Sequence, residues 1–384
     1  MSVNDLPPAA YAAALAGFER MSLHRLLALL RHYSPLEAFA VATGEAPPLP
    51  GGLIAKVLGQ PDVRDAWRRG RLRHDPGQVW QRCLDLGVDV TYLGHPAHPA
   101  LLANDPLPPP VLFSCGDREL LEGRRVALVG TRNATATGRH VARTFGEGLA
   151  RAGVHVVSGL ARGIDGHAHA GVLAAVGELG DVAGRPIAVV ASGLDVVYPS
   201  EHRRLWHDVG ERGLLVSESP PGTSPQAHLF PQRNRMIAAL SEIVVVVESR
   251  ERGGSLITAS LAAERGVPVM AVPGSATSRA ALGVNALLRD GSPPAIEVDD
   301  VLIALSIDHR LSGTAMVPDP RPRPRGDDVD AYRACAERSC TIGELVERTG
   351  RSLVEVAMAV ARLEQAGWLG QVDGWFEPLG GPLS

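Results

Sequence analysis

Residues 125–138 read RVALVGTRNATATG, an apolar strand that ends at Gly130 in a short polar loop and then leads into a helix. The same alternation recurs along the chain and predicts parallel strands joined by helices. Runs such as Val244–Val247 are apolar at consecutive positions, which is typical of strands buried on both faces. The predicted strands are Arg125–Gly130, Val154–Gly159, Pro186–Ser192, Leu214–Glu218, Ile243–Ser249 and Pro268–Gly274. These are too few for an eight-stranded barrel, so we predict an open, doubly wound, mostly parallel Rossmann-like α/β sheet.

The segments before this sheet have the periodicity of short helices. An apolar stripe at helical spacing is formed by Leu23, Leu26, Leu27 and Leu30. Proline and glycine clusters separate the segments that follow. We therefore predict a small N-terminal helical domain over residues 1–110 and the sheet domain over residues 111–307.

The end of the chain has a different pattern. A Pro-Arg-Pro-Arg-Pro stretch predicts a stiff extended linker over residues 308–328. Two capping boxes, each of which predicts the start of a helix, are formed by Thr341 with Glu344 and by Ser352 with Glu355. An Asp373-Gly374 turn then predicts a hairpin. Helix, turn, helix and hairpin together predict a winged helix over residues 329–384.

Composition restricts the class of protein. The chain has 384 residues, of which 45% are hydrophobic and 21% charged, enough for two or three domains. Its apolar runs are far shorter than the roughly 20 residues of a membrane helix, and Asp5 stands where a signal peptide would be basic. We therefore expect a cytoplasmic protein without a membrane segment. Four scattered cysteines predict neither a disulfide framework nor a structural zinc site.

The net charge limits how the chain could bind anions. A net charge of −4 argues against a globally basic nucleic-acid binder, so anion recognition would need a local concentration of cations. Lys56 is the only lysine, so the other strong cations of the side chains are arginines. Any phosphate contact would then be made by planar guanidinium groups, which bind bidentately.

The loop after the first strand, Gly130–Gly138, differs from a dinucleotide fingerprint. Arg132 stands where that fingerprint needs a glycine, and Ser158-Gly159 stands where it needs an acid. NAD and FAD are therefore not expected. A glycine, hydroxyl groups and the start of a helix still favour an anion, so we predict a phosphate cradle with an arginine inserted. The alternative is a tight turn with a solvated arginine.

Arginines recur after successive strands, which is where open α/β sheets bind their ligands. They are Arg132, Arg162, Arg203 with Arg204, Arg233 with Arg235, and Arg250 with Arg252. Each alone would be an ordinary surface residue, but together they predict an edge suited to a chain of phosphates. The predicted contact residues are Gly130, Thr131, Arg132, Gly159, Arg162, Arg203, Arg204, Arg233, Asn234, Arg235, Gly254 and Ser255.

Motifs for catalysis and metal binding are weak. Asp165, His167 and His169 alternate, but residues two apart on a helix face different directions, so we predict no metal site. Ser255 lacks the glycine pattern of a nucleophile elbow and is expected to be the N-cap of a helix. The sheet has no lysine for a nucleotide-binding P-loop. The sequence predicts no catalytic residue and no cofactor.

Five motifs in order over some 160 residues resemble the DNA-processing protein A family, called DprA or Smf. They are Val129-Gly130-Thr131-Arg132, Val157-Ser158-Gly159-Leu160-Ala161-Arg162-Gly163-Ile164-Asp165, Ser192-Gly193-Leu194-Asp195 with Tyr198-Pro199, Phe230-Pro231-Gln232-Arg233-Asn234-Arg235, and Gly254-Ser255-Leu256-Ile257-Thr258-Ala259. The resemblance departs at His167, Gly253 and Gly283-Val284-Asn285, which puts the geometry of the late loops in doubt.

The resemblance implies a non-enzymatic protein with a sterile-alpha-motif-like domain, an extended Rossmann domain and a winged helix. Such proteins bind single-stranded DNA, form homodimers and load the RecA recombinase onto incoming DNA during natural transformation. By the same resemblance, Arg132 and Arg204 would hold the DNA backbone, with Arg235 nearby.

Two alternatives stay open. A phosphoribohydrolase-like enzyme would use a related fold, but its Pro-Gly-Gly-x-Gly-Thr-x-x-Glu motif supplies a catalytic acid, and here no carboxylate follows Gly253-Gly254 before Glu264. The winged helix would alternatively read DNA itself. From Asp330 onward, however, there are five arginines and eight acids, which favours a protein-contact or regulatory role.

Overall fold

The computed structural model describes residues 6–306, 321–372 and 374–379. Its helices are α1 (Pro8–Ala16), α2 (Leu23–His32), α3 (Pro35–Thr43), α4 (Leu53–Leu58), α5 (Pro61–Arg73), α6 (Pro76–Asp85), α7 (Ala100–Ala103), α8 (Ala136–Arg151), α9 (Ile164–Leu179), α10 (Arg203–Arg212), α11 (Leu229–Ala239), α12 (Gly254–Ala263), α13 (Leu282–Arg289), α14 (Val298–Ala304), α15 (Asp327–Glu337), α16 (Ile342–Thr349) and α17 (Leu353–Gln365). The strands are β1 (Asp89–Tyr92), β2 (Val111–Gly116), β3 (Arg125–Gly130), β4 (His155–Ser158), β5 (Pro186–Val189), β6 (Leu214–Ser217), β7 (Ile243–Glu248), β8 (Val269–Ala271), β9 (Cys340–Thr341), β10 (Leu369–Val372) and β11 (Trp375–Pro378).

In the described part of the chain, one large sheet has the strand order β1-β2-β6-β5-β4-β3-β7-β8. The strands from β6 to β8 in this order are parallel, as predicted, and β3 to β8 confirm the six predicted strands. The antiparallel strands β1 and β2 were not predicted. Since β1 begins at Asp89, the large sheet begins before the boundary that the sequence places at residue 110.

Side chains of the sheet alternate between two cores. Val126 and Leu128 of β3 face α8, α9 and α14, whereas Ala127 and Val129 face α11, α12 and α13. The helices before β1 pack with α10 over the β1, β2, β5 and β6 part of the sheet. Helices therefore cover both faces, which is why the parallel strands are apolar at consecutive positions.

Helices α8 and α9 approach each other without intervening side chains. Gly146 of α8 lies against the carbonyl oxygen of Ala168, and Gly171 of α9 lies against that of Arg143. A Cβ atom at either glycine would overlap the backbone of the other helix. The two helix backbones are therefore in direct contact.

The C-terminal part combines α15, α16 and α17 with a small sheet of order β10-β11-β9. Both predicted capping boxes are formed, and β10 pairs with β11 as the predicted hairpin, although Asp373 of its turn lies outside the described residues. Of the predicted linker, residues 308–320 also lie outside them. Helix α15 starts at Asp327, one residue before the predicted linker ends.

The C-terminal part contacts the large sheet domain at the start of α8. Oγ1 of Thr137 donates a hydrogen bond to Oε2 of Glu377 at 2.9 Å. Gly370 of β10 packs against Ala136, the first residue of α8. In the parts of the chain that the structure describes, no helix is both long and apolar enough to cross a membrane.

Candidate functional site

A cavity of about 640 Å³ opens at the carboxyl ends of β3 and β7. From β3, the sheet continues through β4, β5 and β6 on one side and through β7 and β8 on the other. The strand order therefore reverses between β3 and β7, and open α/β sheets bind their ligands in the crevice at such a point. The topology places the loops after these two strands on opposite sides of the cavity.

The loop after β3 is held from two directions. The backbone nitrogen of Thr131 donates to the carbonyl oxygen of Glu248 at 2.8 Å, and that of Ile164 donates to the carbonyl oxygen of Thr131 at 3.3 Å. The first bond joins the loop to the end of β7 and the second joins it to the start of α9. Arg132, the next residue, is therefore an exposed side chain on a fixed backbone.

Four exposed arginines surround the cavity: Arg132, Arg162, Arg250 and Arg252. They come from the loops after β3, β4 and β7, three strands that end at the same edge of the sheet. Nη2 of Arg162 donates to Glu201 at 3.1 Å, so this positive charge is partly balanced. Within the described ranges, the other three arginines form no ion pair. The cavity therefore has a concentrated positive charge in a chain of negative net charge.

Aromatic rings form one wall of the cavity. The ring centroids of Tyr198 and Phe230 are 5.7 Å apart, and the guanidinium carbon of Arg132 lies 4.6 Å from the centroid of Phe230. A cation over an aromatic face is attracted by the ring quadrupole. These rings were not among the predicted site residues because the prediction rested on the positions of cations. The pairs Tyr198-Pro199 and Phe230-Pro231 were the available signal.

A buried cation lies at the floor of the cavity. Arg233 of α11 is 7% exposed, and burial lowers its pKa to about 10, which keeps it charged at neutral pH. Its neighbour Asp165 is also buried and accepts a hydrogen bond from the backbone nitrogen of Gly159 at 3.1 Å. Burial raises the pKa of Asp165, while the positive charge of Arg233 opposes that rise. The negative charge of Asp165 therefore favours the charged form of a guanidinium group that lies beneath the open part of the site.

The predicted contact residues divide into three groups. The cavity is lined by Gly130, Thr131, Arg132, Arg162, Arg233, Asn234, Gly254 and Ser255. Gly159 lines a smaller adjoining cavity, where it touches Arg233. Arg203, Arg204 and Arg235 do not line the main cavity. The first two are exposed at the start of α10, and the Arg204 side chain is 96% exposed.

Arg235 is the largest departure from the prediction. It lies two residues after Arg233 on α11, so the two side chains point in different directions. The Arg235 side chain is 4% exposed, forms an ion pair with Glu218 and donates to the carbonyl oxygen of Leu107 at 2.6 Å. Its contacts are those of a structural residue.

Asp165, His167 and His169 do not share a partner, and neither ring nitrogen of His169 has a hydrogen-bond partner in the described structure. Asp165 accepts from Gly159, Nδ1 of His167 lies 2.8 Å from the carbonyl oxygen of Gly163, and His169 is fully buried. Among the described residues, no three potential ligands of the types His, Cys, Asp and Glu are grouped as at a metal site. The prediction that Ser255 caps a helix is wrong, because the N-cap of α12 is Gly253 and Ser255 lies within the first turn. Oγ of Ser255 donates to Oγ of Ser249 at 2.9 Å.

His169 should make the protein less stable in acid. Burial, with a contribution from nearby His202 and Arg233, lowers its pKa from 6.5 to about 3. Below pH 6.5 the unfolded chain binds a proton that the folded chain does not, so stability falls as the pH falls from 6.5 toward 3. The decrease at pH 5 is about 2 kcal/mol. In urea unfolding, His169→Gln should reduce the difference in unfolding free energy between pH 7 and pH 5 by that amount.

The control for this measurement is His24→Gln, because His24 is an exposed histidine on α2 that forms no ion pair in the described part of the chain. It should leave the pH dependence of stability as in the parent. An equal effect of His169→Gln at both pH values would contradict the assignment.

Sequence comparison matches this chain to known proteins. The family model described as DNA recombination-mediator protein A matches residues 89–306. A DNA processing protein DprA of Bacillus subtilis is 41% identical over 257 residues, which are 65% of this chain and 84% of that protein. Two DprA relatives of Mycobacterium tuberculosis are 39% identical over 267 residues. The match covers 66% of their length, so the chain spans just under two thirds of these relatives.

Two solved structures are similar over most of their own length. The DNA processing protein A of Streptococcus pneumoniae aligns with a TM-score of 0.63 and 29% identity, covering 76% of this chain and 95% of that one. The DNA processing protein A of Helicobacter pylori, described for its single-stranded DNA binding mode, aligns with a TM-score of 0.50 and 26% identity. That alignment covers 57% of this chain and 95% of that one.

Proposed function

Because this chain belongs to the DNA recombination-mediator protein A family, we propose that its cavity binds single-stranded DNA. The observation that carries the proposal is the convergence of Arg132, Arg162, Arg250 and Arg252 around one cavity, with Arg233 beneath it. A cluster of guanidinium groups matches a chain of phosphates better than a single small anion. The Helicobacter pylori protein, whose single-stranded DNA binding mode has been described, supports the same ligand.

The binding would be independent of sequence. Guanidinium contacts to phosphates release counterions and do not distinguish one base from another. Tyr198 and Phe230 offer apolar faces against which unstacked bases can pack. The protein would act by binding, and the proposal assigns no catalytic residue and no cofactor to it.

We also propose that the protein protects incoming DNA and loads the RecA recombinase onto it in natural transformation. The description of the family as recombination mediators supports this role. One cavity gives weak binding, so two copies on one strand would raise the overall affinity, which supports a homodimer. Light scattering would measure the mass, and RecA filament formation on DNA coated with a single-stranded DNA-binding protein would measure the loading.

The domain boundaries are a proposal as well. We propose that α1 to α6 form the sterile-alpha-motif-like domain and that α15 to β11 form a winged helix. The capping boxes of α16 and α17 and the three-stranded sheet support the winged helix. The excess of acids from Asp330 onward supports a contact with protein and not with DNA.

Arg132→Ala should weaken binding of a labelled single-stranded oligonucleotide by about ten- to a hundredfold. The variant lacks a charged hydrogen-bond donor to phosphate, an interaction of about 1.5–3 kcal/mol. The slope of the logarithm of affinity against the logarithm of salt concentration should fall by about 0.7 for each phosphate that the variant no longer binds. Fluorescence anisotropy over a range of salt concentrations measures both quantities.

The matched control is Arg31→Ala, since Arg31 is an exposed arginine in the last turn of α2. It should bind like the parent. If Arg132→Ala binds like the parent at low and moderate salt, the assignment of the cavity is wrong.

A further inference from the structure

Helix α8 starts just after the loop that carries Arg132, and it holds two arginines at unfavourable positions. Arg139 and Arg143 are four residues apart; Arg139 is half-buried and Arg143 is exposed. Like charges at this spacing repel each other, and a cation near the start of a helix opposes the helix dipole. Both effects destabilise α8 slightly, so the pair would gain from an anion placed beside it.

Acids on the same helix do not supply that anion. Glu147 stands one turn after Arg143 and could pair with it. Its Oε1 atom instead accepts from Nη2 of Arg151 at 2.9 Å, and Arg151 also pairs with Glu178. The arginine at the end of α8 thus has two carboxylate partners, whereas within the described ranges Arg139 and Arg143 form no ion pair.

The carboxylates that approach α8 from other elements accept hydrogen bonds from residues other than Arg139 and Arg143. Glu248 lies within electrostatic range of Arg139, but its carboxylate accepts from the backbone nitrogen and from Oγ1 of Thr135, at 3.1 and 2.5 Å. Glu377 accepts from Thr137. Neither carboxylate comes within ion-pair distance of Arg139 in the described structure.

A histidine on α9, His167, lies near the two arginines. His167 lies in the first turn of α9, and burial, together with nearby Arg139, His202 and Arg143, lowers its pKa. Its ring bonds to Gly163, which packs against the carbonyl oxygen of Arg132. The cluster therefore adjoins the loop of the cavity.

We propose that Arg139 and Arg143 form a second phosphate-binding surface, the α8 patch, which holds a DNA strand after it leaves the cavity. The proposal rests on the proposed function of the cavity. A strand longer than the cavity must continue across the adjoining surface, and here that surface offers cations without carboxylate partners in the described structure. A flexible polyanion can supply one phosphate to each of them, as a single small anion cannot.

The test compares two labelled oligothymidylates, one of about 6 and one of about 30 nucleotides, on the full chain. The double variant Arg139→Ala/Arg143→Ala should bind the long one about tenfold more weakly than the parent, with a salt slope lower by about 0.7 for each phosphate that is no longer bound. Its affinity for the short one should stay within about twofold. Arg132→Ala should weaken both. The double variant should be at least as stable as the parent, because alanine favours helix and the repulsion is removed.

Arg69→Ala/Arg73→Ala is the matched control, since these arginines have the same spacing on α5. It should bind both oligonucleotides like the parent. Parent-like binding of the long oligonucleotide by the α8 double variant overturns the patch while leaving the cavity intact. A drop in stability with equally weakened binding of both lengths indicates a structural role and overturns it too. Failure of the parent to bind either oligonucleotide overturns the proposed function and, with it, the patch.

Discussion

Arg235→Ala should lower the free energy of unfolding by about 3 kcal/mol, although Arg235 does not line the cavity. The substitution leaves Glu218, whose side chain is 18% exposed, without its guanidinium partner. It also removes the donor to the carbonyl oxygen of Leu107. Breaking a buried ion pair from one side is strongly destabilising because the remaining charge is poorly solvated. Urea unfolding at pH 7 measures the decrease.

Two controls separate this effect from the removal of an ordinary arginine. Arg204→Ala removes a 96% exposed arginine and should change the unfolding free energy by less than about 0.5 kcal/mol. The double variant Arg235→Met/Glu218→Gln removes both charges and should recover most of the stability. A parent-like unfolding free energy for Arg235→Ala would contradict the contacts described above.

The deficit of Arg235→Ala should also depend on pH. Burial raises the pKa of Glu218, and Arg235 opposes that rise. Without Arg235, the folded state retains the Glu218 proton to higher pH than the unfolded chain does, so stability falls as the pH rises above the unfolded pKa. The variant should therefore lose less stability relative to the parent at pH 5 than at pH 8.

Gly159→Ala should destabilise the fold by about 1–3 kcal/mol and also weaken oligonucleotide binding. The added Cβ atom would overlap Nη1 of Arg233 and crowd Asp165. Because Arg233 is buried beneath the cavity, its guanidinium group cannot swing freely into solvent to make room. The floor of the cavity would have to shift. Thermal unfolding and anisotropy with a single-stranded oligonucleotide measure the two effects.

Gly254→Ala is the control for this substitution. Gly254 also lines the cavity, but a Cβ atom there would have no neighbour within 4 Å. Its unfolding free energy should stay within about 0.5 kcal/mol of the parent. Equal stability of Gly159→Ala and Gly254→Ala would show that the floor can rearrange at little cost.

The buried part of the fold was predictable because hydrophobic burial leaves a periodic pattern. The run Val244–Val247 marks a strand covered on both faces, and β7 lies there in the structure. The edge strand β1 has only four residues, one of them exposed, so it lacks such a pattern. Its pairing with β2 depends on distant contacts that sequence periodicity does not contain.

The candidate site was predictable to the level of the sheet edge. The rule that ligands bind at the carboxyl ends of strands selected Arg132 and Arg162, which the structure brings together at the cavity. The rule could not predict how α11 is rotated about its axis, and this rotation places Arg233 at the floor of the cavity and Arg235 away from the cavity. It also could not show that Arg233 is buried, since burial of a charge depends on its partner, here Asp165.

The direct backbone contact of α8 and α9 fixes the distance between these two helices. Side chains between helices can change rotamer and let the helices slide, but Gly146 and Gly171 place no side chain between α8 and α9. The loops that precede the two helices carry Arg132 and Arg162. The two arginines are therefore attached to a pair of helices whose separation is fixed. If a strand of DNA binds there, its own backbone torsions must adapt to the spacing that the protein sets.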